Sequence, residues 1–265
     1  MDLQLTGKRA IVTGGSRGIG FAAADVLAAE GADVALVARD KATLDAAADR
    51  LSRHGHRVLA VSADTSDDSA VQAMVAQVVA EFGGVDVLVN AAAQPASPNV
   101  TPGLAGTADD DLRAEMETKV LGYLRCARAV APHMVAQGWG RIINISGLAA
   151  RQSTSIVGSI RNVAVAAMTK NLADELGSTG VNVTVVHPGF TVTERTPALI
   201  AKFAQSQGIS EEDAEVALAA SVSIGRIVTA AEIGDVVAFL ASPRSVSING
   251  DAIAVGGGVR GAIHY

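Results

Sequence analysis

Short runs of apolar, largely β-branched residues alternate along this chain with longer segments in which apolar residues recur at helical spacing. Continuous apolar runs of this kind are typical of strands buried on both faces of a parallel sheet. The alternation predicts βαβ units around one parallel sheet of about seven strands, with helices on both faces. The predicted strands cover residues 9–13, 33–38, 58–62, 85–90, 141–146, 181–186 and 252–255.

Helical periodicity accounts for most of the intervening segments. Apolar residues recur at helical spacing from Ile19 to Leu27, and Gly31 is the expected end of that helix. Further helices are predicted over residues 70–82, 109–137, 156–176 and 230–240. No linker, repeat or charge block divides the chain, so residues 1–265 are predicted to form a single domain.

The longest irregular stretch, residues 188–225, lies between the sixth predicted strand and the last predicted helix. It contains a polar helix candidate at residues 211–220. Long connections on a rigid scaffold often carry binding function, so this stretch is predicted to be a substrate lid. A surface insertion without a catalytic part is the alternative.

Composition narrows the class of protein. Hydrophobic residues make up 49% of the chain and mean hydropathy is +0.32, values that exclude a disordered or collagen-like protein. Aromatic residues make up only 3%, and the only tyrosines are Tyr123 and Tyr265. A mechanism that needs a phenol must therefore use one of these two.

Charge, cysteine content and the N-terminal residues indicate the expected partners and the expected cellular compartment. The net charge is -6 and no basic stripe is present, so nucleic acid is not an expected partner. The single cysteine, Cys126, cannot form an internal disulfide or a cysteine-based metal site, which favours a reducing compartment. No signal peptide or long apolar run is evident. We therefore expect a soluble cytoplasmic protein with a small-molecule substrate and no bound metal.

A glycine-rich segment, Thr13-Gly14-Gly15-Ser16-Arg17-Gly18-Ile19-Gly20, follows the first predicted strand and opens a helix. Glycines in that context let the backbone approach a pyrophosphate at a helix N-terminus, although a tight turn needs glycine even without a ligand. The spacing resembles the short-chain dehydrogenase/reductase family, whose first turn reads Thr-Gly-x-x-x-Gly-Ile-Gly. The predicted cofactor contacts from this segment are Gly14, Ser16, Arg17, Gly18, Ile19 and Gly20.

The resemblance extends along nearly the whole chain. Asp64, followed by Thr65, stands where the family places an adenine-contacting aspartate, and Asn90-Ala91-Ala92 resembles the family's Asn-Asn-Ala-Gly with its second Asn and its Gly lost. Pro188-Gly189 with Thr193 resembles the segment that lies against the nicotinamide. The resemblance implies a Rossmann-type, doubly wound α/β fold, a nicotinamide cofactor and a homo-oligomer, either dimer or tetramer.

Cofactor choice is expected to be decided at the end of the second strand, where an acidic residue would bind the ribose of NAD. Ala38 stands there, followed by Arg39, and Arg17 lies in the glycine segment. Two guanidiniums suit a 2'-phosphate, so NADP is favoured over NAD. The alternatives are a solvated Arg17 and an Arg39 paired with a neighbouring aspartate.

Members of the family usually carry Asn, Ser, Tyr and Lys, with Tyr-x-x-x-Lys one helical turn apart. The lysine lowers the pKa of the phenol and holds the ribose, while the tyrosine exchanges a proton with the substrate oxygen. Residues 166–176 resemble the family segment just after its lysine, a register that places Gly158 at the tyrosine and Asn162 at the lysine. Asn162 can still hydrogen-bond a ribose hydroxyl.

The other two expected residues are also replaced. Gly147 stands at the usual serine, with Ser146 one residue early, and Lys119 stands at the usual asparagine. We predict Lys119 and Ser146 as the replacement catalytic groups, the stem of Lys119 crossing the space left at Gly158 and Asn162. A solvated or interface charge is the alternative for Lys119. Tyr123 shares a helical face with Lys119 but is expected to pack.

Three functional hypotheses follow. The first is a divergent oxidoreductase that exchanges hydride between NADP(H) and a carbonyl or alcohol, with a non-standard proton donor. The second is an NADP-binding pseudoenzyme that acts as a sensor or an oligomerisation partner. The third, a non-redox reaction on the same scaffold, has no feature of its own in the sequence.

Overall fold

A computed structural model describes residues 1–93, 103–153 and 155–260, so that Tyr265 lies outside the described residues. Its strands are β1 (Arg9–Thr13), β2 (Asp33–Ala38), β3 (Val58–Ser62), β4 (Val87–Asn90), β5 (Gly140–Ile145), β6 (Val181–Pro188), β7 (Thr191–Val192), β8 (Val228–Thr229) and β9 (Ala252–Val255). Seven of them form one parallel sheet in the order β3-β2-β1-β4-β5-β6-β9, which confirms the predicted fold class. The short strands β7 and β8 pair separately.

Helices cover both faces of this sheet. They are α1 (Gly18–Ala29), α2 (Lys41–Leu51), α3 (Asp68–Phe82), α4 (Asp109–Glu115), α5 (Gly122–Gln137), α6 (Ile156–Leu176), α7 (Thr196–Gln207), α8 (Glu211–Ala220) and α9 (Ala230–Ala241). Alternate side chains of a strand point to opposite faces. Ala10 and Val12 of β1 accordingly pack in one core with α1, α2 and α9, while Ile11 packs in the other with α3, α5 and α6.

The predicted single helix over residues 109–137 is interrupted. A π-helix, Met116–Leu121, separates α4 from α5. Backbone hydrogen bonds in a π-helix span one residue more than in an α-helix, so the side chains of such a segment leave the helical face that sequence periodicity assigns them. Lys119 lies within this segment and is buried.

Residues 188–225 are more regular than predicted. They contain β7, α7 and α8, and the two helices pack on each other through Ile200, Ala204 and Ala214. The sequence pattern did not predict α2, since Leu44 and Leu51 are its only large apolar residues. It begins where the carboxylate of Asp40 accepts a hydrogen bond from the Thr43 backbone amide at 2.9 Å.

The topology determines where a ligand can bind. The strand order reverses between β1 and β4, and ligands of open α/β sheets bind at the carboxyl ends of the strands at such a point. Thr13, the last residue of β1, joins the two strand ends there, because its Oγ1 accepts hydrogen bonds from the backbone amides of Ala91 and Ala92 at 3.1 and 3.3 Å. Within the described residues, no helix is both long and apolar enough to cross a membrane.

Candidate functional site

A cavity of about 450 Å³ lies at the carboxyl ends of the central strands. Most of the predicted site residues line it. These are Gly14, Ser16, Arg17, Gly18, Ile19, Gly20, Arg39, Asp64, Thr65, Ala91, Ala92, Lys119, Ser146 and Thr193. The cavity therefore runs from the glycine segment, past the end of β2, to the buried lysine.

The remaining predicted residues lie outside the cavity wall. Asn90 turns into the sheet, where its Nδ2 donates to Oδ1 of Asn144 at 3.0 Å. Pro188 and Gly189 continue β6 alongside β9, since the Gly189 amide donates to the Val255 carbonyl oxygen at 3.0 Å. Asn162 is buried and contacts Lys119.

Sequence reasoning did not select several residues that line the cavity. They are Val37, Ala38, Asp40, Thr43, Ala63, Ala93, Thr118, Tyr123, Ile145, Glu194 and Arg195. Asp40 and Thr43 had a usable signal, because Asp-x-x-Thr at the start of a helix is typical of an N-cap. Glu194 and Arg195 belong to the stretch predicted as a lid, where no residue other than Thr193 was selected.

Two glycines of the glycine segment, Gly14 and Gly20, leave no room for a side chain. Gly14 has φ +66°, and a Cβ added to it would lie 2.7 Å from the Ala91 carbonyl oxygen. A Cβ at Gly20 would lie 2.3 Å from the Gly14 carbonyl oxygen. The N-terminus of α1 therefore meets the cavity with bare backbone, the arrangement that binds pyrophosphate groups. These residues fit a nicotinamide dinucleotide.

Two cations stand beside the end of β2. Arg17 and Arg39 are exposed, and within the described part of the chain neither has a carboxylate within 4.0 Å. The two neighbouring aspartates that could pair with Arg39 make other contacts: Asp40 caps α2, and Asp45 pairs with Lys41 at 2.7 Å. Both guanidiniums are therefore available to a phosphate group.

Lys119 forms the inner end of the cavity. Its Nζ donates to the Ser146 carbonyl oxygen at 3.0 Å and to Oδ1 of Asn162 at 3.3 Å. Burial, and to a smaller extent the charge of Arg161, lower the pKa of this lysine to about 7, while Glu115 opposes the change. Arg161 and Glu115 form an ion pair, Nη1 to Oε2, at 2.6 Å. The solvated alternative for Lys119 does not describe this side chain, which is only 4% exposed.

Two hydroxyl groups at this end of the cavity donate hydrogen bonds to backbone oxygens. Ser146 Oγ donates to the Asn162 carbonyl oxygen at 3.1 Å, and Tyr123 Oη donates to the Ile145 carbonyl oxygen at 3.0 Å. Burial raises the pKa of Tyr123, so its phenol keeps its proton. Lys119 is thus, among the described residues that line this end of the cavity, the group whose pKa of about 7 lies near neutral pH.

Lysine and asparagine have exchanged places relative to the usual pattern. The resemblance puts asparagine where Lys119 stands and lysine where Asn162 stands, and in the structure these two side chains contact each other. The exchange keeps an amine and an amide together, with the amine arriving from the helix of residues 109–137 instead of α6. The tyrosine position, Gly158, is filled by no side chain, and Ser155 caps α6 beside it.

Comparison with known proteins gives the family. A sequence profile described as short chain dehydrogenase matches residues 8–202. This chain belongs to the short-chain dehydrogenase family. It is 37% identical over 250 residues to short-chain reductase protein NovJ of Streptomyces niveus, covering 94% of this chain and 92% of the relative. It is 34% identical over 262 residues to the 3-oxoacyl-[acyl-carrier-protein] reductase FabG of Escherichia coli, covering 97% and 99%.

Solved structures of reductases share the fold. L-sorbose reductase from Gluconobacter frateurii, complexed with NADPH and L-sorbose, superposes with a TM-score of 0.90 at 30% identity, covering 99% of this chain and 100% of that one. Actinorhodin polyketide ketoreductase with NADPH gives 0.89 at 31%, covering 96% and 98%. NAD+-bound xylitol dehydrogenase, at 24% identity, has the same fold with a TM-score of 0.87, covering 96% and 100%. The family membership predicted from the glycine segment is confirmed.

The buried lysine makes stability depend on pH. Its pKa is about 7 when folded and near 10.4 when unfolded, so stability is lost as the pH falls from about 10.4 to 7. Lys119→Met is therefore expected to gain on the order of 4 kcal/mol in free energy of unfolding at pH 6 relative to its effect at pH 10. Urea unfolding of both proteins at each pH measures this difference. An equal effect at the two pH values would show that the lysine is charged in the folded protein.

Proposed function

We propose that this protein binds NADP(H) in the cavity and exchanges hydride between it and a carbonyl or alcohol substrate, with Lys119 as proton donor and acceptor. The observation that carries the proposal is the position of the Lys119 amine at the inner end of the cavity that begins at the glycine segment. The glycine segment supports binding of the cofactor. The amine supplies the proton transfer that the resemblance assigns to the tyrosine phenol in other family members.

Different residues of the chain would bind the cofactor and transfer the proton. The bare backbone from Gly14 to Gly20 and the N-terminus of α1 would hold the pyrophosphate, and Arg17 and Arg39 the 2'-phosphate. Bound NADP(H) would supply or take the hydride. Lys119, held by the Ser146 carbonyl oxygen and Asn162, gives a proton to the carbonyl oxygen in reduction and takes one from the alcohol in oxidation. A pKa of about 7 makes both forms of the amine available near neutral pH.

The test is NADPH consumption by the purified protein with a panel of small aldehydes and ketones, followed by identification of the alcohol formed. Consumption that depends on both protein and carbonyl compound supports the proposal. NADPH binding without consumption, across the panel and across the pH range from 6 to 9, contradicts it.

The second candidate is an NADP-binding protein without catalysis, acting as a sensor or as an oligomerisation partner. The observation that favours it is the commitment of both hydroxyls near the amine to backbone carbonyls, beside a glycine at the tyrosine position. In that case NADPH raises the melting temperature and is never oxidised.

Cofactor preference gives a separate prediction. Removing a charge-assisted hydrogen bond to the 2'-phosphate costs about 1.5–3 kcal/mol, so Arg39→Ala is expected to weaken NADPH binding by roughly 10- to 100-fold. NADH binding should change little, because NADH lacks that phosphate. Arg53→Ala is a matched control, since Arg53 is exposed and pairs with Asp25 outside the cavity. Equal losses for NADPH and NADH, measured by titration calorimetry, would mean that Arg39 does not read the phosphate.

A further inference from the structure

The Lys119 amine is surrounded by neutral acceptors. Its two hydrogen-bond partners are the carbonyl oxygen of Ser146 and the amide oxygen of Asn162. Within the described residues no carboxylate lies within 4.0 Å of Nζ, and Glu115, whose charge acts on this amine, is paired with Arg161. Nothing in contact with the amine therefore holds it in the charged form.

The hydrogen bonds match an uncharged amine. An ammonium group has three N–H donors, whereas a neutral amine has two and a lone pair. The two acceptors around Nζ use both donors of the neutral form, and an ammonium would carry a third N–H for which no acceptor is found among the described residues. The lone pair is carried by Nζ of Lys119, and the Lys119 side chain lines the cavity.

We propose that Lys119 is also a nucleophile, which forms an imine with aldehydes and unhindered ketones that enter the cavity. A lysine that burial keeps uncharged is the form that attacks carbonyl groups. The proposal rests on the proposed function only in placing a carbonyl compound beside this amine. It adds a covalent intermediate that needs no nicotinamide.

The chemistry is balanced by water alone. The Nζ lone pair attacks the carbonyl carbon, a C–N bond forms, and the carbonyl π electrons move to the oxygen, which takes up a proton. The nitrogen then loses one proton, and the hydroxyl takes up a second proton and leaves as water when the C–O bond breaks. The nitrogen lone pair forms the C=N bond, and loss of the last N–H proton gives the imine. No carbon changes its oxidation state, so neither oxidant nor reductant takes part.

The groups that face the amine define its pH range. Glu115 precedes it on α4, Arg161 faces it from α6, and the protonated phenol of Tyr123 lies on α5. The positive charge of Arg161 favours the uncharged amine and Glu115 opposes it. Attack requires the uncharged amine and proton donation requires the charged one, so the two roles of Lys119 have opposite pH dependences.

The experiment is reductive trapping on the cofactor-free protein. Propanal and sodium cyanoborohydride are added at pH 7, and peptide mass spectrometry measures the rate at which each lysine becomes propylated. Lys119 is expected to react roughly 10-fold or more faster than Lys41 and Lys170, because the amines of these two lysines form ion pairs with aspartates and an ammonium group does not attack a carbonyl. Labelling of Lys119 no faster than of these two lysines overturns the proposal.

A near-isosteric variant makes the test specific. Asn162→Asp places a carboxylate next to Nζ, 3.3 Å away in the native geometry, and should slow labelling of Lys119 about 10-fold at pH 7 by favouring the ammonium. Unchanged labelling in a folded Asn162→Asp protein counts against the uncharged nucleophile. Since no NADPH is present, labelling without NADPH-dependent turnover supports the imine and contradicts the proposed function. NADPH-dependent turnover without labelling of Lys119 supports the proposed function and contradicts the imine.

Discussion

Replacing Lys119 by methionine is expected to lower NADP(H)-dependent turnover by about 10²- to 10⁴-fold, the contribution of a positioned general acid or base. Methionine matches the apolar stem of lysine as far as Cε, so most of the volume at the inner end of the cavity stays filled while the transferable proton is removed. The measurement is kcat with the carbonyl compound that wild-type protein reduces fastest. NADPH affinity should be retained, because the glycine segment and both arginines are unchanged.

Two further variants separate chemistry from folding. Lys119→Arg keeps a positive charge but does not give up its proton near neutral pH, so it is expected to be as slow as the methionine variant. Lys170→Met changes a lysine that is exposed on α6 and pairs with Asp174, and it should retain wild-type turnover. Wild-type kcat in folded Lys119→Met protein would assign the proton transfer to another group.

Strands were the most predictable part of the fold. β1, β2, β3 and β9 have the predicted bounds, because each is an apolar run ended by polar or glycine residues. β4 begins at Val87 instead of residue 85, and the preceding Asp86 binds Arg9, Oδ2 to Nε, at 2.6 Å. That contact joins residues far apart in sequence, which no local pattern shows.

The half of the candidate site that is formed by the glycine segment was also predictable, for a local reason. Gly14, Gly18 and Gly20 act through backbone geometry within one turn, so their spacing alone carries the information. The positions of the side chains at the inner end of the cavity could not be predicted from residue spacing. Whether Lys119 points into the cavity depends on the π-helix that interrupts the helix of residues 109–137 and on a contact with Asn162 of α6.

The exchange of lysine and asparagine explains why the site can keep an amine without the family's usual pair. In that pair the lysine acts on the phenol and holds the ribose, so in a chain with Gly158 only the second of these roles is left for residue 162. Asn162 instead accepts a hydrogen bond from Lys119, and its backbone oxygen accepts one from Ser146. The amide therefore orients the amine directly, which is consistent with a site in which the amine itself transfers the proton.

Restoring the family's arrangement is expected to create its chemistry. The variant combines Lys119→Asn, Asn162→Lys, Gly147→Ser and Gly158→Tyr. Moving the lysine, and not merely adding one at 162, avoids two buried ammonium groups about 3 Å apart. NADPH-dependent carbonyl reduction should exceed that of Lys119→Asn alone by about 10²- to 10⁴-fold, because the phenol again donates the proton.

The matched control carries phenylalanine at 158 with the other three substitutions unchanged, so that only the hydroxyl differs. A Cβ at 158 would lie 3.3 Å from the Ser155 side chain, so that serine must shift slightly in both variants. A Cβ at 147 would lie 3.1 Å from Nδ2 of Asn162, an atom that the exchange removes. Faster reduction by the tyrosine variant than by the phenylalanine variant establishes the register that places Gly158 at the proton donor. Equal rates would mean that residue 158 does not face the substrate oxygen, and the argument for Lys119 as the replacement donor would lose its basis.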